Sequence, residues 1–225
     1  MKNLLAAIVD DDRARVNAML AANADLATRL IDTARLYELG IFHWMYVGDT
    51  ALHLAVAGYR VEIARMLPAA GADPSSAKNH RRGRPLHYAA DGYVTGPAWD
   101  PERQVETLQL LLGSGVDVNA QDQNGATALH RAVRTRCAAA AKYLLSAGSD
   151  PTRRNKSGST PFHLAVQNTG RGGTGEQIAR DAQRQIVEGF LSFGIGVSLK
   201  DGKGQSVLDC AQSGWVRDIL TENAV

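Results

Sequence analysis

Thr50–Val56 reads "TALHLAV", and the fold turns on the fact that this heptad comes back. It returns as "RPLHYAA" at Arg84, as "TALHRAV" at Thr127 and as "TPFHLAV" at Thr160, with a degenerate "SVLDCA" at Ser206. The spacings are 34, 43, 33 and 46 residues. A second landmark keeps the same beat: "NAD" ends at Asp25, "GAD" at Asp73, "GVD" at Asp117 and "GSD" at Asp150. Two independent markers with a period near 33 residues describe a stack of small units, each leaning on its neighbours to bury an apolar face.

Within a unit, the residue types explain the shape. In "GSTPFHLAV" the glycine permits a tight turn, Thr160 suits a helix N-cap and Pro161 suits the first helical position. A longer second helix follows, as in "VEIARMLPAAGAD", where Val61, Ile63, Met66 and Leu67 are the apolar positions and Gly71 is placed to end the helix with a left-handed residue. Abundant Ala and Gly, with only 6% aromatics, fit close helix–helix packing.

On these residues the chain resembles the ankyrin repeat family, whose T-P-L-H-x-A signature recurs every 33 residues. The resemblance implies an all-α solenoid of stacked helix-turn-helix units joined by hairpin-like loops. It spans nearly the whole chain as a stand-alone array of the bacterial type, a single domain over 1–225. The units lie near 1–47, 48–82, 83–124, 125–157, 158–203 and 204–225. The first lacks the Thr–His motif and the last has Asp209 in place of His, as expected of capping units with one neighbour. The resemblance also implies that Thr50, His53, His87, Thr127, His130, Thr160 and His163 are structural, the Thr and His bonding locally to fix each turn. Four histidines at one register, a helix spacing apart, do not converge on a metal, and no metal or other cofactor is expected.

Bulk properties exclude several classes. The 225 residues carry a net charge of +2 with dispersed basic groups, so no nucleic-acid face is expected. No apolar run approaches the roughly 18 residues of a membrane span, and "MKNLLAAIVDDD" is too short an apolar stretch for a secretory signal. Cys137 and Cys210 make neither a disulfide framework nor a zinc signature. A soluble, cytoplasmic protein is the expectation.

The residues that the repeat does not require point to function. Three insertions are expected, in the first, third and fifth units. "ATRLIDTARLYELG" (27–40) has the spacing of an extra helix that buries Leu30, Ile31, Leu36 and Leu39; with "IFHWMYVGD" after it, the insertion reads either as a local cap over the weak first unit or as a wall of Phe42, Trp44 and Tyr46 beside the concave face. "GYVTGPAWDPERQ" (92–104) and "TGRGGTGEQIARDAQ" (169–183) both leave the stack between first and second helices, on either side of the fourth unit. The glycine-rich "GRGGTG" lacks the Lys-Ser/Thr of a phosphate loop and reads as a connection.

Between them stand Arg131, Arg134 and Arg136. Across the stack, Tyr59, Asp91, Tyr93, Arg134, Arg136, Gln167 and Asn168 form a transverse stripe, with Trp99 rising beside it. Asp91 and Arg134 are either an ion pair or part of a site, and guanidinium next to flat rings is suited to gripping an anion. The default reading is a scaffold binding a protein or peptide through its concave face. The rival is a small-molecule or peptide site, for a small anionic ligand or for catalysis, built by the insertions around Asp91, Trp99, Arg134 and Arg136. No nucleophile stands beside a base; Asp49 and His43 are only loose acid–base candidates, so no catalytic residue is assigned.

Overall fold

The computed structural model describes residues 1–38, 40–92, 94–96, 99–168 and 175–222. Helices come in pairs along the chain: α1 (Lys2–Val9) with α2 (Arg13–Ala22), α3 (Ala51–Ala57) with α4 (Val61–Ala69), and α5 (Pro85–Ala90) with α6 (Pro101–Gly113). Then follow α7 (Ala128–Arg134) with α8 (Ala138–Ser146), α9 (Pro161–Ala165) with α10 (Gln177–Ser192), and α11 (Val207–Cys210) with α12 (Gly214–Glu222). First helices stack on first helices and second on second, which is the all-α ankyrin solenoid. No helix among the described residues is long and apolar enough to cross a membrane.

Small residues let the layers approach. Ala51, Ala55, Ala89, Ala128, Ala132 and Ala165 are all buried at the first-helix seam, while Ile63, Leu67, Leu108, Leu111, Leu144, Ile186 and Val187 fill the space below them. Phe162 and Phe190 are fully buried and stacked, with centroids 4.6 Å apart.

The motif histidines hold unit to unit. His53 Nδ1 accepts from the Thr50 backbone N–H (3.1 Å), and His130 Nδ1 from that of Thr127 (3.1 Å). The opposite nitrogen, Nε2, lies 3.2 Å from the Gly83 carbonyl for His53, 3.0 Å from Ala126 for His87, 3.2 Å from Ser159 for His130 and 3.1 Å from Gln205 for His163. A carbonyl only accepts, so each ring is the Nε2–H tautomer, tying one repeat to the turn of the next. Burial lowers the basicity of His53 and His130, and takes His87 down to about 4.

One local expectation is corrected. The described residues from 28 to 40 do not form a helix. A short 3-10 turn, Ala24–Ala27, ends there, and the chain runs on extended into a hairpin: β1 (Arg35–Tyr37) pairs antiparallel with β2 (His43–Met45), Leu36 opposite Trp44. Pairing continues at the base, where Ile31 N–H donates to the Asp49 carbonyl (2.7 Å) and Gly48 N–H to the Ile31 carbonyl (2.9 Å). The aromatic and branched run 41–47 supplies a strand partner, which satisfies the backbone without a helix. Ile31 is buried at 4% exposure, but Leu30 and Leu36 remain 39% and 36% exposed. Leu39 lies outside the described residues.

Candidate functional site

The hairpin leans over the concave side of α3, α5 and α7 and closes a cavity of about 400 Å³. Its outer wall is Ile41, Phe42, His43, Trp44 and Tyr46. The floor is Tyr59 in the α3–α4 turn with Tyr88, Asp91 and Gly92 at the end of α5, and Trp99 from the second insertion completes the side. Arg131 and Arg134, one helical turn apart on α7, form the far wall, and Arg81 stands at the hairpin side. Gly92 is required by closeness: a Cβ there would sit 2.6 Å from Cys137 Sγ and 2.9 Å from the Tyr59 hydroxyl.

Asp91 is the electrostatic centre. Its Oδ2 lies 3.2 Å from Arg131 Nη1, 3.7 Å from Arg134 Nη2 and 3.7 Å from His43 Nε2. Arg131 also donates through Nη2 to Asp122 Oδ2 at 2.6 Å. Despite burial, which opposes ionisation, the neighbouring His43 ring and the Arg131 and Arg134 guanidiniums hold the Asp91 carboxyl below the usual carboxylate range, and Arg131 likewise lowers Asp122. Asp91 Oδ1 is sealed and has no hydrogen-bond partner among the described residues, nor has Arg131 Nε.

The aromatic groups are held from behind. The Tyr59 hydroxyl donates to the Asp91 carbonyl (2.8 Å), and Trp99 Nε1 donates to Gln104 Oε1 (3.1 Å). The Tyr88 hydroxyl donates to both oxygens of Asp49 (2.9 and 2.8 Å), and Asn79 Nδ2 and the Tyr46 N–H reach the same carboxylate at 2.6 and 2.7 Å. Burial and the Asp49 charge push the Tyr88 phenol far up. Asp49 is fully buried beneath these donors and faces no open space. The His43 ring packs on Tyr88 at 4.9 Å, which fastens the hairpin to α5, and its Nδ1 donates to the Trp44 carbonyl within the strand (3.0 Å).

Of the residues singled out in the sequence, Trp44, Tyr46, Tyr59, Asp91, Trp99, Arg131 and Arg134 line this one cavity. Tyr93 and, apart from its last residue Gly175, the "GRGGTG" stretch lie outside the described residues. Arg136, Gln167 and Asn168 are placed elsewhere. Arg136 adopts φ +63° and turns away from the cavity to donate to the carbonyls of Ala165 (3.1 Å) and Gln167 (2.9 Å), at the end of α9. Gln183 Nε2 reaches the same two carbonyls at 2.7 and 2.8 Å. Asn168 accepts from Ser213 Oγ (2.6 Å) and donates to Gln212 (3.0 Å) in the last pair.

The same device recurs two units earlier, where Tyr59 (φ +54°) and Gln104 serve the end of α5. Wherever an insertion cuts a first helix short, the previous unit's turn residue and a buried glutamine take over the freed carbonyls. Burial brings the Arg136 guanidinium down to about 10. Tyr88 and Arg81 also line the cavity. Tyr88 was legible in principle, since it follows His87 at the register Arg131 holds after His130.

Comparison with known proteins agrees with this architecture. A model described as "Ankyrin repeat" matches residues 47–80, and one described as "Ankyrin repeats (3 copies)" matches 99–180, together more than half of the chain. Mouse "Ankyrin repeat and SOCS box protein 6" is 38% identical over 84 residues, and the human protein of that name 37% over 84. Each match takes in 37% of this chain and only 18% of the relative's length. With the repeat motif, the stacked helix pairs and these matches in agreement, the chain belongs to the ankyrin repeat family.

Proposed function

We propose that this chain recognises a protein or peptide partner on the concave face of its second to fourth units, the partner placing an apolar side chain in the hairpin-capped cavity. Ankyrin repeats generally serve as protein-interaction modules, and the observation that carries this more specific reading is the rim. Phe42 and Trp44 are 47% and 43% exposed directly beside a cavity that is aromatic inside and charged at one wall. Leu30, Leu36 and Val47 extend the exposed apolar surface along the same hairpin. A rigid aromatic rim around a pocket, with arginine next to it, has the make-up of an interface hot spot. We further propose that the six units act as one domain. Its two free thiols, of which Cys137 is buried and pushed up to about 11, suit a reducing compartment such as the cytoplasm.

A small-molecule site is the second reading, favoured by the volume, which lies within the range of ligand pockets. The test is capture from the source lysate by the intact chain and by a Phe42→Ser, Trp44→Ser variant of equal melting temperature. Loss of a specific partner in the variant supports the concave-face reading; undiminished capture refutes it.

A further inference from the structure

The cavity mouth carries more cations than it neutralises. Arg131 is accounted for, since its terminal nitrogens hold Asp91 and Asp122. Arg134 is not. Its nearest carboxylate oxygen is the Asp91 Oδ2 that Arg131 already occupies, 3.7 Å away, and its side chain is 59% exposed. Arg81 lies 4.4 Å from the Tyr46 ring centroid and makes no ion pair among the described residues. A second, more polar hollow of about 260 Å³ adjoins the first, sharing Arg131 and Arg134 and adding Lys156. Against these stand Asp91, whose Oδ2 already faces Arg131, Arg134 and His43 and whose Oδ1 is sealed, the exposed Glu38, and Asp122, which Arg131 covers.

We infer that the site takes an apolar, ring-sized group bearing a carboxylate: the ring enters the aromatic cavity and the carboxylate is gripped at the mouth by Arg134, with Arg81 or Lys156 alongside. This rests on the concave-face reading and deepens it by naming the ligand chemistry. Arg134 is suited to the task because an exposed guanidinium gives up only a long contact to form two short parallel bonds to a carboxylate. The buried Arg131–Asp91–Asp122 cluster stays intact and fixes the helix from which Arg134 projects. Two sources supply such a ligand, the C-terminal residue of a polypeptide and a free arylalkanoic acid.

Calorimetric titration of the full chain decides between them, using N-acetyl-phenylalanine, its amide, and a ten-residue peptide ending in phenylalanine with a free or an amidated C-terminus. The free acids are expected to bind saturably, with each amide about tenfold weaker or more, the loss of one charge-assisted contact. Arg134→Ala is expected to bring each binding acid down to the level of its amide at an unchanged melting temperature. Binding by the acid-ended peptide but not by the acetylated residue assigns a polypeptide C-terminus; equal binding by both assigns the free acid. Acid and amide binding alike, or an acid preference that survives Arg134→Ala, overturns the inference and leaves the concave-face reading standing. If none of the four probes binds while a protein is still captured and lost in the hairpin variant, the inference fails by itself. Undiminished capture by that variant instead removes the concave-face reading.

Discussion

Replacing Arg136 separates two effects that this residue combines. Its guanidinium bonds the Ala165 and Gln167 carbonyls, while its backbone sits at φ +63°, where a side chain is strained. Truncation to Ala removes both bonds but leaves Gln183 on both carbonyls, so no acceptor is stranded. Each bond then counts as an ordinary net contribution, and the loss is roughly 2 kcal/mol in total. Truncation to Gly removes the same bonds and also relieves the left-handed strain of about 1–2 kcal/mol. The greater freedom of glycine in the unfolded chain takes back about 0.5 kcal/mol. Arg136→Gly is therefore expected to be about 1 kcal/mol more stable than Arg136→Ala, and both less stable than the parent. Urea denaturation followed by far-UV circular dichroism reads both differences. A Gly variant no more stable than the Ala variant refutes the strain argument, and an Ala variant equal to the parent refutes the role of Arg136 as a cap on the next unit.

Acid sensitivity follows from the buried histidines. His87 is near 4 in the folded chain against an ordinary 6.5, so its contribution is present above pH 6.5 and is lost as pH falls towards 4, roughly 3 kcal/mol in all. His53 and His130 shift in the same direction, and the depressed carboxyls of Asp91 and Asp122 add further loss below their ordinary value. The melting temperature should be flat above pH 7 and fall steadily from pH 6.5 to 4.5; no change across that interval contradicts the neutral-histidine account. Gly48 combines φ +91° with a Cβ position 2.6 Å from the Lys78 carbonyl oxygen, both backbone obstacles. Gly48→Ala should cost about 2–4 kcal/mol and loosen the base of the hairpin, read as a lower urea midpoint and faster proteolysis near residues 40–50; an unchanged midpoint refutes this.

The repeat is written openly in the sequence because each unit needs the same few residues: a Thr or its substitute to start the helix, a His to bridge to the next turn, and alanines thin enough for the helices to touch. Asp91 and Arg134, each four residues after its motif histidine, are brought together by sequence alone because stacking converts equal registers into neighbours. The hairpin could not be read that way. The apolar spacing of residues 27–40 suits a helix, and what decides otherwise is a partner strand at 43–45 and the clamp of Ile31 on Gly48 and Asp49. Arg136 shares a stripe with Arg134 in sequence, but its left-handed backbone sends a long side chain to the following unit. Gln167 and Asn168 leave the stripe because α9 stops at Ala165, and the chain beyond it faces Gln183 and Ser213.

The central claim, that recognition happens on the concave face under the hairpin, is tested most directly by amide hydrogen exchange on the chain with and without its captured partner. The account predicts that slowed exchange falls on residues 41–46, 86–92 and 128–135, with the outer helices α4 and α8 unchanged. Protection confined to α4 and α8, with the hairpin exchanging as in the free chain, contradicts it.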